Sequence, residues 1–310
     1  MSAKQVAVAL AALAALALGT EVRAQTGTAV AAGCRLAIEP GSSRWTIESY
    51  DPFAGAAAYG QFQMAWTNQG DQPCEGEVVT ELTAEAYGLR NPLSPSAGLL
   101  RYGLVDESNG VDRTPYTAAR GARHNGPLLR VEPGQRVVQT FGLLVDVEDL
   151  GGDGVYQQTV KFGLRRPNSV VVEAQRDVTL AINVRPSAVM GLTGTFQRRN
   201  GAARIDLGEL TTGRTNDPVN LWVRGTRGYK ISVRSENHGR LVQPGGDWAV
   251  PYALSLGGTT IDLANPVPFQ STPGDGLRND TYPLVITVGR TDGQRAGRYS
   301  DLLTLTLAPI

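Results

Sequence analysis

The sequence predicts an all-β fold arranged as two β-sandwiches, and three observations predict it. Short runs alternating apolar and polar residues recur along the chain, each bounded by clusters of Gly, Pro, Asn or Asp. Glycine occupies 37 positions and proline 18, which favours strands joined by turns over helices. At 310 residues, with 41% hydrophobic and 19% charged positions, the chain is long enough for two cores.

The first segment is set aside before the strands are read. Lys4 supplies a positive start, the thirteen residues 6–18 are unbroken Ala, Leu and Val, and Val22-Arg23-Ala24 provides a cleavage pattern, so residues 1–24 read as an export signal. Thirteen apolar residues are too few to span a bilayer. A lipoprotein site at Cys34 is the rival reading, but Glu21, Arg23 and Gln25 stand between that cysteine and the apolar run. Lys+Arg and Asp+Glu are both 29, so no overall field draws the chain to nucleic acid or an anionic membrane. Export implies an oxidising compartment, in which Cys34 and Cys74 are expected to pair, closing a loop worth about 4 kcal/mol in the chain-entropy model. Two separate free thiols are the alternative. The spacing fits no zinc site.

The expected first domain, residues 25–186, contains CRLAI (34–38), RWTI (44–47), YGQFQMAWTN (59–68), EGEVVTELTA (75–84), GLLRYGLV (98–105), QRVVQTFGLLVDV (135–147), GVYQQTVKFGL (154–164) and VVVEAQRDVTLAINV (170–184). The run at 154–164 can pair with the one at 170–184, so this sandwich can close. Arg185-Pro186-Ser187 reads as a linker, because Pro186 donates no ladder bond and holds the approach extended. The expected second domain, 187–310, repeats the habit with GLTGTFQR, ARIDLGEL, VNLWVRG, YKISVRS, WAVPYALSL, TTIDLA, YPLVITVGR and finally AGRYSDLLTLTLAPI. In that last stretch Tyr299, Leu303, Leu305 and Leu307 share a face, interrupted by Asp301. This is a core-type strand, and one strand that should lie beside it is missing from the pattern.

RIDLGEL, GYKISVRSENHGRL, WAVPYALSL and above all YPLVITVGRTDGQRAGRYSDLLTLTL resemble the spore coat protein U domain of subunits in archaic chaperone-usher pili, where a Gly-x-Tyr-x-Asp strand continues into alternating Thr and aliphatic residues. Here those positions are Gly297, Tyr299, Asp301, Leu303 and Leu305. The first half, with Cys34, YDPF and Cys74, resembles the amino-terminal domain of two-domain tip subunits of the same systems. The second half departs from many such pilins in having no cysteine pair. The resemblance implies two immunoglobulin-like sandwiches, the second lacking its last strand, which a periplasmic chaperone and then the donor strand of a neighbouring subunit would supply at an outer-membrane usher. Tyr299, Leu303, Leu305 and Leu307 would line the groove; ordinary core packing is the alternative. Between the expected cleavage and Cys34, QTGTAVAAG offers Val30 as its sole bulky aliphatic residue. The chain therefore reads as one that accepts a strand and does not donate one, placing it at the pilus tip, exported through the periplasm to the cell surface.

Surface contact, to an abiotic or host surface, is expected from loops of the first domain. If strands alternate in direction, the loops at 68–74, 106–134 and 165–169 lie far from the linker. The stretch DESNGVDRTPYTAARGARHNG carries Val111, Pro115 and Tyr116 as apolar points, and FAGAAAY (53–59) offers Phe53, Ala57 and Tyr59. A buried edge segment is the alternative for FAGAAAY, and its end of the domain depends on whether the first strand is split. DVEDLGGDG (146–154) lacks EF-hand spacing and reads as a solvated turn, with calcium binding the rival. Arg198-Arg199 reads as solvated surface. No catalytic motif, cofactor or metal is expected: there is no Gly-x-Ser-x-Gly, no His-Glu-x-x-His and no phosphate loop, and only two histidines, His124 and His238. A carboxylate-pair glycosidase and a ligand-free structural adaptor stand as the competing function classes.

Overall fold

The computed structural model describes residues 33–39, 41–82, 86–95, 97–115, 126–170, 172–272 and 274–310. The expected leader 1–24 lies outside the described residues, as does Tyr116. All regular structure among them is β-strand.

The first sandwich contains β1 (Leu36–Ile38), β2 (Arg44–Tyr50), β3 (Tyr59–Asn68), β4 (Cys74–Leu82), β5 (Tyr102–Asp106), β6 (Val111–Asp112), β7 (Leu129–Val131), β8 (Arg136–Val145), β9 (Gly154–Arg165) and β10 (Val172–Val184). One sheet has the order β1-β3-β8-β5-β6, and the facing sheet β2-β10-β9-β4-β7. Alternation decides which side chains enter: in β3, Met64 and Trp66 are buried while Gln61 and Gln63 face water. Trp45 centres the aromatic core, stacked on Phe62 at 5.3 Å and edge-on to Phe162 at 5.3 Å. Cys34 and Cys74 are joined in a disulfide.

β10 completes this sandwich. It runs antiparallel to β9 along one edge and parallel to β2 along the other, sending Val178, Leu180, Ile182 and Val184 into the core, each at most 1% exposed. The initial strand is therefore split: β1 pairs with β3 in one sheet, and the chain crosses near Gly41 to run as β2 beside β10 in the other.

The second sandwich contains β11 (Ala188–Gly194), β12 (Gln197–Arg199), β13 (Ala202–Arg204), β14 (Val219–Arg227), β15 (Tyr229–Ser235), β16 (Arg240–Val242), β17 (Ala249–Leu256), β18 (Thr259–Ile261), β19 (Phe269–Gln270), β20 (Asp275–Val288) and β21 (Leu303–Pro309). Its larger sheet has the order β11-β14-β20-β17-β16, with β18 also on β17, and its smaller sheet is β19-β15-β21. β20 begins seven residues before the YPLVITV run, because it pairs with β14 through Arg227↔Asp275. ARIDLGEL is strand only at β13; past Arg204 the segment leaves the ladder and turns Leu207 into the core.

The domains meet through polar contacts. Leu277 N–H donates to Gly151 O at 3.1 Å and Asp153 N–H to Thr226 O at 3.2 Å. Arg227 grips Asp153 in bidentate fashion, with Nε to Oδ1 at 2.8 Å, and the Ser187 hydroxyl donates to Asp51 Oδ1 at 2.7 Å. The expected solvated turn DVEDLGGDG is thus corrected: the Asp153 side chain is only 9% exposed and holds the second domain. Among the described residues no group of three or more His, Cys, Asp or Glu is placed to hold a metal ion.

Candidate strand-acceptor site

β21 is built by the Gly-x-Tyr-x-Asp sequence that precedes it. A Cβ at Gly297 would lie 2.3 Å from Nε2 of Gln243, so a larger residue there would have to push the Gln243 side chain aside. The Tyr299 hydroxyl donates to Arg295 O at 2.6 Å, and Ser300 bridges to Val242. Asp301 is the hub. Its Oδ2 accepts from the Ser235 hydroxyl at 2.5 Å and the Tyr252 hydroxyl at 2.6 Å; its Oδ1 accepts from Asn237 N and Nδ2, both at 3.0 Å, and from Leu302 N at 2.8 Å. One carboxylate thereby ties the start of β21 to β15, to the turn that follows it and to β17 in the opposite sheet. Burial, followed by the Asp301 carboxylate, raises the Tyr252 phenol above its ordinary 10.0 and keeps it a proton donor.

From Asp301 the chain enters β21, antiparallel to β15 from Ser235↔Leu303 to Tyr229↔Pro309. The other edge of β21 has no ladder partner among the described residues. Leu303, Leu305 and Leu307 all point at the core, together with Tyr299, yet each is only half-buried. The strand in the corresponding place of the first sandwich is β9, next to β4 as β21 is next to β15. There Val160, Phe162 and Leu164 are each 0% exposed, because β10 covers them. At this place the two sandwiches differ by one strand: β9 has β10 beside it, and β21 has no such neighbour among the described residues.

β11 forms the other wall of the gap. It is paired on one side only, with β14, and approaches β21 without pairing to it. Met190 and Leu192 face inward from β11, and they too are half-buried. The sequence run GLTGTFQR starts at Gly191 and so leaves out Met190, whereas the ladder runs from Ala188; Leu192 lies in that run but was not assigned to the groove. The Ala-Val-Met alternation ahead of Gly191 was the usable signal.

The expected contact residues fall differently. Splitting of the first strand puts FAGAAAY at the linker end, where Ala58 O accepts from Val145 N at 2.9 Å; Phe53 is half-buried and Ala57 exposed. The turn after β5 does not reach the far end, because β5 is five residues long and Asp106 stands opposite Phe141 at mid-height. Val111 is half-buried and Pro115 buried, so Pro115 presents no surface. The structure does bring Tyr59 to this turn. The Tyr59 hydroxyl donates to Glu107 Oε1 at 2.9 Å and accepts from Gln61 Nε2 at 2.8 Å. Tyr59, 43% exposed, stands opposite Leu144, 52% exposed, on the outer face of the β3-β8-β5 sheet.

No family model matches the chain, and no curated protein matches it. Among solved structures, it is similar to a chain of the CsuC-CsuE chaperone-tip adhesion subunit pre-assembly complex from the archaic chaperone-usher Csu pili of Acinetobacter baumannii, at 12% identity over 89% of this chain and 99% of that one, with a TM-score of 0.46. It is also similar to the CupB6 tip adhesin from Pseudomonas aeruginosa, at 9% identity over 90% and 95%, TM-score 0.38. A third is CfaE, the adhesive subunit of CFA/I fimbria of enterotoxigenic Escherichia coli, at 8% identity over 87% and 93%, TM-score 0.34.

Proposed function

We propose that the chain is a pilus adhesin subunit of the chaperone-usher kind, exported through the periplasm and standing at the fibre tip, whose second domain is completed by a strand from another polypeptide. The observation that supports this most directly is internal. β9 is covered by β10, while β21, with the same place and the same alternation, has one edge without a partner among the described residues and three half-covered leucines. Main-chain bonding along that edge would give general affinity, and aliphatic side chains entering between β11 and β21 would give specificity. A periplasmic chaperone would hold the gap first, and the donor strand of the next subunit would replace it at the usher. By the pattern of β10, a final strand would run antiparallel to β21.

Within this reading the first, complete sandwich contacts a surface, and the function is binding, with no catalysis, cofactor or nucleic acid. Its outer face around Tyr59 and Leu144 offers one exposed apolar patch for such contact. The test is expression of the mature chain alone and with a cognate periplasmic chaperone. Aggregation or degradation alone, and a soluble one-to-one complex together, is the expected result; a stable, cooperatively folding lone monomer sinks the reading. Turnover of any member of a glycoside panel by the complex would replace binding by hydrolysis.

A further inference from the structure

The whole chain is electrically neutral, but its halves are not: the first 186 residues carry 16 Lys+Arg against 19 Asp+Glu, and the last 124 carry 13 against 10. Five of the arginines of the second half lie exposed at one end. β11 runs away from the linker, and from its distal end the chain projects as the β12-β13 hairpin, closed by Asn200 and Gly201 at positive φ. Arg198, Arg199 and Arg204 on this hairpin are all exposed. On the other side of the gap, Arg295 and Arg298 are exposed in the loop that delivers the chain to the distal end of β21. None of these five guanidinium groups has a carboxylate partner among the described residues. The nearby acids are Asp206, which accepts from Gly208 N at 2.9 Å in its own turn, Asp292, paired with Arg290 at 3.4 Å, and exposed Glu209, Asp217 and Glu236.

We propose that these arginines, flanking both sides of the gap where it opens away from the first domain, form an electrostatic docking site for an acidic protein surface borne by the polypeptide that fills the gap. This rests on the strand-acceptor reading. The geometry argues it: the first domain occupies the linker end, so the body attached to an incoming strand has room only at the distal end. A strand antiparallel to β21 would leave the gap there by its own carboxyl-terminal side. Unpaired arginines at such a mouth steer an acidic body and repel a basic one, while adding little to affinity once it is seated.

The test uses the full mature chain, unfolded in guanidinium and diluted into peptides copying residues 177–184, which carry the core-facing residues of β10. The peptides end in four Glu, four Ser or four Lys, or carry four Glu at the amino end instead. At about 0.01 M salt, where charges act over about 30 Å, formation of the complex with the carboxyl-terminal Glu tail should outpace the Lys tail by on the order of tenfold. The ratio should fall to about one near 1 M salt, and should drop markedly, without vanishing, in the variant R198S/R199S/R204S, whose exposed hairpin leaves the core untouched. The amino-terminal Glu tail should show no gain. Equal rates for all tails would overturn the docking site alone. Failure of every peptide to form a complex would overturn the strand-acceptor reading and the docking site with it.

Discussion

Leu305→Ala distinguishes a half-covered core face from a finished one. Leu305 stands opposite Val233 in the β15-β21 ladder and is half-buried, whereas Leu164 on the corresponding β9 is 0% exposed. Truncating a fully buried leucine costs about 2–5 kcal/mol, part of it for the enclosed cavity. At Leu305 the vacated space opens into the gap between β11 and β21, so no cavity is enclosed and only part of the transfer term is lost, about 1 kcal/mol in the free chain. A strand lying over the gap would bury Leu305 fully and restore the larger cost. The difference, roughly 1–4 kcal/mol, should emerge as a loss of strand affinity of at least about fivefold. Denaturant unfolding of the Leu305→Ala and Leu164→Ala chains, with and without the residue 177–184 peptide, measures both quantities. If Leu305→Ala costs as much as Leu164→Ala without peptide, or leaves peptide affinity unchanged, then β21 already lies in a finished core and the reasoning is refuted.

Asp301→Ala should lower the stability of the second domain by about 3 kcal/mol or more, since it strands the Tyr252 and Ser235 hydroxyls; thermal melts should show Tyr252→Phe costing less than half of that. Replacing Cys34 and Cys74 by Ser should cost the first domain about 4 kcal/mol and leave the unfolding midpoint of the second unmoved. Burial pushes the Asp51 carboxyl up, but hydrogen bonds from Arg185, Ser187 and Phe53 N outweigh it and hold the group below its ordinary 3.8. A depressed carboxyl contributes stability that is present above the unfolded value and lost as pH falls through the folded one. The Asp51 contacts should therefore weaken below about pH 4, seen as growing interdomain motion by NMR relaxation, and Asp51→Asn should remove that pH dependence. Asp153→Ala should loosen the same junction at neutral pH, because Arg227 loses its bidentate partner, with amide exchange rising at Thr226 and Leu277.

Period-two alternation and turn residues determined by themselves that this chain is all β and that Leu303, Leu305 and Leu307 share a face. These are local properties, set by which side of a pleated strand each residue occupies. The missing neighbour of the last strand is legible in the order of runs, by matching 303–307 to the run at 154–164, which has 170–184 beside it. Other features depended on which segments meet. Nothing in the spelling of Asp301 says that five donors converge on it from three separate stretches, or that Met190 and Leu192 stand across the gap. The splitting of the first strand, which moved FAGAAAY to the linker end, depends on β2 finding β10 more than a hundred residues away. Nor does a run of carboxylates at 146–154 announce that Arg227 will hold one of them. Alternation is a property of neighbours in sequence, whereas strand order, edges and charge partners belong to neighbours in space, and those exist only once both sheets have formed.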